Sequence, residues 1–362
     1  MTVFTERPGA VVDDGAVAHY GDPIREQRAL IAGRAVVLLG DRTVVEVAGP
    51  ERLNWLDSFT SQATARLRPG EGSELLILDP QGHVEHAAGI VDDGASAWLI
   101  VDAADAESLV AWLKRMVFRA QVTVQTRPDL SLLGYFAGGA AQEALANAGP
   151  IWADPWEHVQ SGGHQYSEVA EHPSAGYAWR VAILPADAVA SLAADLETAG
   201  LLAAEALRVA AWRPRWAAEV DERTLPHETD WIRSAVHLNK GCYRGQETVA
   251  KVHNLGHPPR RLAALHLDGS EDVLPVAGMP VYSGDAEVGH VTSVARHYED
   301  GPIALAILSR RAPEGDLTVR ADGVDIAAAQ QVIVPADAGA TADVPRLTRL
   351  SRRPSAPDPR DA

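Results

Sequence analysis

Lys240-Gly241-Cys242-Tyr243-Arg244-Gly245-Gln246-Glu247 concentrates the chemistry of this chain in one short stretch. It holds the only cysteine and one of just three lysines, the others being Lys114 and Lys251. Arginine supplies the cations elsewhere, so a lysine here points to a need for a compact, strongly hydrated ammonium. A nucleophile, a cation, an aromatic ring, an amide and a carboxylate follow one another closely, and two glycines let the backbone turn tightly.

Working outward, the 362 residues are too many for one ordinary core, and two or three domains are expected. The chain is 46% apolar and 22% charged, a normal globular composition. No apolar run approaches the roughly 18 residues that span a bilayer. Met1 to Asp22 carries Glu6, Asp13 and Asp14 and has no basic-then-apolar leader pattern, so a soluble, cytoplasmic protein with no membrane partner is expected. A formal charge of −17 argues against broad binding of nucleic acid, which needs a basic footprint. One cysteine excludes an internal disulfide and an all-cysteine metal cluster.

Strands are predicted at Arg34 to Leu39, Arg42 to Val47, Glu74 to Leu78, Val84 to Val91, Trp98 to Val101, Gln121 to Gln125 and Leu130 to Gly134. Helices are predicted from Pro23 to Ala32, from Pro50, from an Asp102 cap to Met116, and over Ala140 to Asn147. A similar order returns, with strands at Gln165 to Val169 and Ala178 to Leu184 and helices at Ala186 to Thr198 and Ala203 to Arg213. This alternation reads as α+β layers of ferredoxin-like type, with an internal duplication plausible on element order alone. Gly256-His257-Pro258-Pro259 marks a boundary, after which short strands and turns such as Asp322-Gly323 indicate a small antiparallel barrel. All nine tryptophans lie at or before Trp231, so composition changes there too. The expected organisation is a body over 1–256, a barrel over 257–336 and a disordered tail over 337–362.

Cys242 is the candidate nucleophile, since a neighbouring Lys240 or Arg244 would favour the reactive thiolate. The plain alternative is a small buried hydrophobe, which its polar, turn-prone neighbours disfavour. Tyr243, Glu247 and Glu228, with Trp212, Trp216 and Trp231, are candidate walls for a flat heteroaromatic ligand, because a carboxylate accepts two hydrogen bonds from a donor edge while a ring stacks. The same tryptophans also read as ordinary core. Cys242, His253 and His257 form a weak ligand set that lacks a partner and precedes a Pro-Pro turn rather than sitting on a clear helix, so no metal is assigned. His83 and His86 fall on opposite faces of a strand. No G-x-G-x-x-G or P-loop pattern occurs.

The stretch from Lys240 to Glu247 resembles the K-G-C-Y-x-G-Q-E signature of the YgfZ family of folate-binding proteins, and the match is complete. Val47 to Leu53, Thr224-Leu225-Pro226-His227-Glu228 and the barrel piece Val288-Gly289-His290-Val291-Thr292-Ser293 are similar to further segments of that family, which is related to the glycine-cleavage T-protein. The resemblance implies interlocked α+β subdomains around a central folate cavity, followed by a C-terminal antiparallel β-barrel. It implies tetrahydrofolate or a one-carbon derivative as ligand and a role in maintaining iron–sulfur proteins, with transient client proteins as partners and Cys242 required. On this reading Lys240 steadies the thiolate or a folate anion, Tyr243, Gln246, Glu247 and Glu228 shape the pocket, and Arg261 pairs with a folate carboxylate. The aminomethyltransferase relatives carry an aspartate at a position that falls near Ala87, and an R-x-E segment that here reads Arg208-Val209-Ala210. Both carboxylates are lost, which favours an accessory factor over the alternative, a folate-dependent aminomethyl or one-carbon transferase.

Overall fold

The chain builds two interleaved five-stranded sheets and a closed barrel in a computed structural model that describes residues 2–342 apart from 271, 272 and 322. One sheet orders its strands as Gly72–Leu78, Val84–Asp92, Ser96–Asp102, Arg42–Ala48 and Thr123–Thr126, all antiparallel. The other runs Ile151–Ala153, Trp179–Pro185, Leu130–Phe136, Ala35–Leu38 and Glu197–Ala199, with only the last pair parallel. The sheets interlock because the chain crosses between them at Leu38 to Arg42 and again at Thr126 to Leu130. The barrel closes through Arg260–Leu267, Gly301–Ser309, Ala286–His297, Pro280–Ser283, Asp316–Ala321 and Val324–Val332. No helix of the described residues is long and apolar enough to cross a membrane.

Local chemistry sets the helix ends. Asp22 caps the helix Pro23–Ile31 by accepting from Arg25 N at 3.0 Å, with Pro23 in the first turn where its missing N–H costs nothing. Asp102 precedes the helix Ala103–Met116 but does not cap it with its side chain. Its carboxylate accepts instead from Arg215 Nε at 2.7 Å and Ala217 N at 3.0 Å. That helix buries Leu109, Val110 and Leu113 and exposes its opposite side.

Three sequence expectations change. Gln165 to Val169 is irregular, because its backbone is held by loop contacts such as Tyr166 N to the Asp230 carboxylate at 2.8 Å. Ala186 to Thr198 is helical only at Val189–Leu192 and ends in the edge strand Glu197–Ala199, so Gly200 begins the next helix, Leu201–Ala210. His253 does sit on a helix, Gln246–Leu255, whose polar face hid its period. The tail expectation lies outside the described residues from 343 onward. At its start, His257 Nδ1 meets Ala338 O at 3.0 Å, and Thr341 N donates to His253 O at 3.0 Å, so residues 338–341 are held against that helix.

Two buried ionic joints fasten the barrel to the body. Arg208 donates to Glu219 at 3.0 Å, and the other oxygen of Glu219 accepts from Thr292 at 2.9 Å and Ser293 at 2.5 Å. A register shift between Val291 and Ser293 turns two consecutive side chains toward the same carboxylate, as a β-bulge does. On the other joint Arg260 pairs with Asp221 at 2.5 Å and with the fully buried Glu228 at 2.8 Å. Removing one partner of such a pair strands the other charge. Arg260→Met is therefore expected to lower stability by about 3 kcal/mol in denaturant titrations, and adding Glu228→Gln to recover part of that loss.

Candidate functional site

Lys240 is buried, and its ammonium donates to the carbonyls of Asp57, Thr60 and Gln62 at 2.5, 2.7 and 2.9 Å. The Asp57 carboxylate stands at 3.5 Å, and the Tyr243 ring lies 5.4 Å below the charge. Burial pulls the Lys240 pKa down while Asp57 opposes it. Three divergent N–H bonds suit a tripod of carbonyls, which a planar guanidinium cannot fill. This corrects the expected role of Lys240: its three protons clamp the loop after the helix Arg52–Asp57, leaving none for a thiolate or a folate anion.

Cys242 is exposed. Tyr243, next to it, is buried with a hydroxyl that has no partner, and burial pushes its pKa up. Arg244 pairs with Glu85 at 2.5 Å and lies 5.9 Å from the Trp112 ring centre. Gly245 has φ +81°, and a Cβ there would meet Asp79 O at 2.6 Å, so only glycine lets the segment press on the turn before Val84. Gln246 opens the helix and reaches Lys240 O at 3.4 Å, while Glu247 is exposed in the first turn, where a carboxylate suits the helix dipole.

Two expected pocket residues lie elsewhere. Glu228 belongs to the joint with Arg260, and burial raises its pKa against that pairing. Arg261 is fully buried with Nη2 on Ala312 O at 3.1 Å. Alternation along the strand sends Arg260 to the body and Arg261 the other way, so the cation adjoining the body is Arg260.

The cleft lined by residues of both sheets and of the segment Arg208 to Trp216 is the second half of the site. Trp152, Trp179, Trp216, Trp231 and Tyr177 supply aromatic walls. Trp152 lies against Gly89, where a Cβ would stand 2.6 Å from the indole. Arg213 bridges Glu74 at 2.5 Å and Asp154 at 3.0 Å, while Arg42 and Arg215 hold Asp102 at 3.0 and 2.5 Å. Burial raises the Glu74 pKa, whereas the two arginines bring that of Asp102 down despite its burial. Ala87 lines this cleft and contributes only a methyl group there. The space left among these side chains is about 70 Å³, room for a few waters. The buried indole N–H of Trp231 has no partner.

Trp216 links the halves, donating to Glu85 O at 3.0 Å while Glu85 holds Arg244. Of the tryptophans singled out by sequence, Trp216 and Trp231 line the cleft, whereas Trp212 packs edge-on to His172 in the core. Glu74, Asp154, Arg213, Trp152 and Trp179 were missed, since nothing local distinguishes a buried ionic bridge from a surface charge. Among the described residues no group of three or more His, Cys, Asp or Glu is arranged to hold a metal ion.

Asp230 lies beneath this region, fully buried at φ +57° with one oxygen on Tyr166 N and the other unpartnered. Burial pushes its pKa from 3.8 up to about 7. The folded state therefore holds this proton where the unfolded chain releases it, and stability falls as pH rises from about 4 to about 7, then levels. Asn keeps the acceptor and tolerates the left-handed backbone. In urea titrations across pH, the stability of the wild type relative to Asp230→Asn is expected to fall by up to about 1.4 kcal/mol per pH unit in that window. For the clamp, Lys240→Met is expected to cost about 3 kcal/mol by stranding buried carbonyls, with Cys242 alkylating at an unchanged rate. A large loss of thiol reactivity with stability intact would return Lys240 to the thiolate.

Residues 260–335 match the glycine cleavage T-protein C-terminal barrel domain. A chloroplastic protein of Arabidopsis thaliana, provisionally named a transferase, is 24% identical over 79% of this chain and 67% of its own length. An aminomethyltransferase of Stenotrophomonas maltophilia is 27% identical over 58% of this chain, a match spanning 61% of that relative. The crystal structure of glycine cleavage system aminomethyltransferase T from Bartonella henselae superposes with a TM-score of 0.69 at 19% identity, covering 92% of this chain and 95% of that one. The chain thus has the T-protein fold, carries a T-protein C-terminal barrel and is homologous to aminomethyltransferases.

Proposed function

We propose that this protein is a tetrahydrofolate-binding accessory factor for the assembly or repair of iron–sulfur proteins, in which Cys242 acts on sulfur chemistry that a client brings. The observation that carries this reading is the exposed thiol beside a buried Lys240 and Tyr243. A cysteine serving a ligand sealed within the cleft would face inward, whereas this one is open to solvent, which supports a role toward a partner. The complete match of Lys240 to Glu247 to the YgfZ signature supports the same assignment.

The cleft fits a reduced pterin in kind. Its rings offer stacking walls, and the carboxylates of Glu74, Asp154 and Asp102 are acceptors for a donor edge. The free indole N–H of Trp231 is a matching donor. A few waters' volume is less than a pterin needs, so binding requires the Arg213 and Arg215 side chains to give way. When bound, tetrahydrofolate supplies a carrier for one-carbon units. Tyr243, Gln246 and Glu247 then belong to the thiol element beside the cleft rather than to its lining.

The second reading, aminomethyl transfer, is favoured by the named relatives. It needs a carboxylate free to move a proton at the reacting nitrogen. Glu74, Asp154 and Asp102 are each tied to arginine, and Ala87 offers none. Cys242→Ser is expected to keep tetrahydrofolate affinity by titration calorimetry while losing rescue of an iron–sulfur enzyme deficit in cells lacking the protein. Full rescue by that variant would sink the thiol mechanism, and aminomethyl turnover by the purified protein would establish the transferase.

A further inference from the structure

The end of the helix Ala103–Met116 carries Lys114, Arg115 and Met116, followed by Val117, Phe118 and Arg119. All but Val117 are exposed. Phe118 is 90% exposed at φ +44°, a conformation that costs a bulky residue about 1 kcal/mol or more. The ring meets the Arg119 guanidinium at 5.7 Å, and its high exposure means that burial inside the fold does not offset the strain.

This helix meets the segment that carries the thiol. Arg244, two residues from Cys242, lies over Trp112, and Arg115 and Met116 follow Trp112 by three and four residues on the same helix face. From Cys242 to Phe118 the path is on the order of 20 Å, within the span of one standard interface patch. Lys114, Arg115 and Arg119 cluster around Phe118, bordered by Glu51, which accepts from Gln121 N at 2.5 Å, while Arg244 is neutralised by Glu85 and the acids Glu247, Asp57 and Asp79 lie on or beside the thiol's own segment. In a protein of charge −17, a cationic face with an outward aromatic is locally inverted.

We propose that this face docks an acidic protein client, Phe118 entering an apolar recess while Arg115 and Arg119 meet client carboxylates, which sets Cys242 against the client's sulfur. The inference rests on the reading of Cys242 as a client-directed thiol and adds the client's surface chemistry to it. A charged rim of this kind raises encounter rates and aligns partners.

Two peptides bearing a 2-pyridyl disulfide test it on the full chain, one rich in Glu with a central Leu, the other its Gln counterpart. The Cys242 thiolate attacks the peptide sulfur, the new disulfide forms, and pyridine-2-thione leaves and is read by absorbance. The acidic peptide is expected to react about tenfold faster at about 50 mM salt, with the advantage gone at about 0.5 M salt. It should also vanish in Arg115→Glu/Arg119→Glu, and Phe118→Ser should slow the Leu peptide more than a Ser version of it. Equal rates for the acidic and neutral peptides would overturn the proposal. So would binding of phosphatidylglycerol vesicles or oligouridylate at physiological salt that these variants abolish, since the face would then serve a membrane or RNA. In cells, these variants should melt like the wild type yet lose rescue. If they rescue fully while Cys242→Ser fails, the docking face falls and the thiol reading stands. If Cys242→Ser rescues fully, the thiol reading falls, and the docking proposal that rests on it falls as well.

Discussion

Arg213 holds the molecule's centre. Its guanidinium spans Glu74, on a strand of one sheet, and Asp154, just past a strand of the other, so one side chain ties the interleaved sheets across the cleft. Five residues earlier Arg208 ties the body to the barrel through Glu219, Thr292 and Ser293. Two residues later Arg215 binds Asp102 and Asp41. Three cations within eight residues thus reach all three units. Buried ion pairs add little net stability over apolar packing, but they are intolerant of any other register. Their contribution here is to fix how sheets and barrel meet, and the cleft lies on the side where residues of both sheets line it.

That constraint also shapes the chemistry of the cleft. Asp102, held down by two arginines, is a poor base, and Glu74, whose pKa burial raises, is tied up with Arg213 and would have to give up that pair to reach a reacting nitrogen. The same residues remain good acceptors for a ligand whose donors can replace a guanidinium. The cleft therefore offers acceptors for a flat polar molecule, and on the proposed reading the reactive group is the exposed Cys242 outside it, whose segment Arg244, Glu85 and Trp216 connect to the cleft wall.

Much of this was legible in the sequence, and the failures have a common cause. The barrel and both sheets follow from alternating apolar residues and turn chemistry, which are local signals. The stretch Lys240 to Glu247 stood out because it breaks those patterns. Lys240 was read as a reagent because adjacency to Cys242 is visible in sequence, whereas its three carbonyl partners lie some 180 residues away. Arg261 was preferred to Arg260 although one residue decides which side of a strand faces the body. Arg213, Glu74 and Asp154 escaped notice for the same reason, since long-range charge pairing leaves no periodic trace. Ala186 to Thr198 misled in the opposite way, its alanines promising a helix that sheet pairing at Glu197 to Ala199 overrode.

The lysine and the cysteine end up with divided labour. An ammonium spent on Asp57, Thr60 and Gln62 pins the segment from below, Tyr243 fills the core beside it, and Gly245 seats the turn against Asp79. Three anchors flank a residue whose own side chain is exposed. A thiol mounted this way has an anchored backbone and an open side chain, which on the proposed reading lowers the entropic cost of meeting another protein's sulfur. The signature is conspicuous in sequence because both tasks, anchoring and presenting, are packed into consecutive residues. Arg244, two residues from the thiol, carries the same segment out to the Trp112 ring at 5.9 Å, so anchoring and surface contact meet within a few residues.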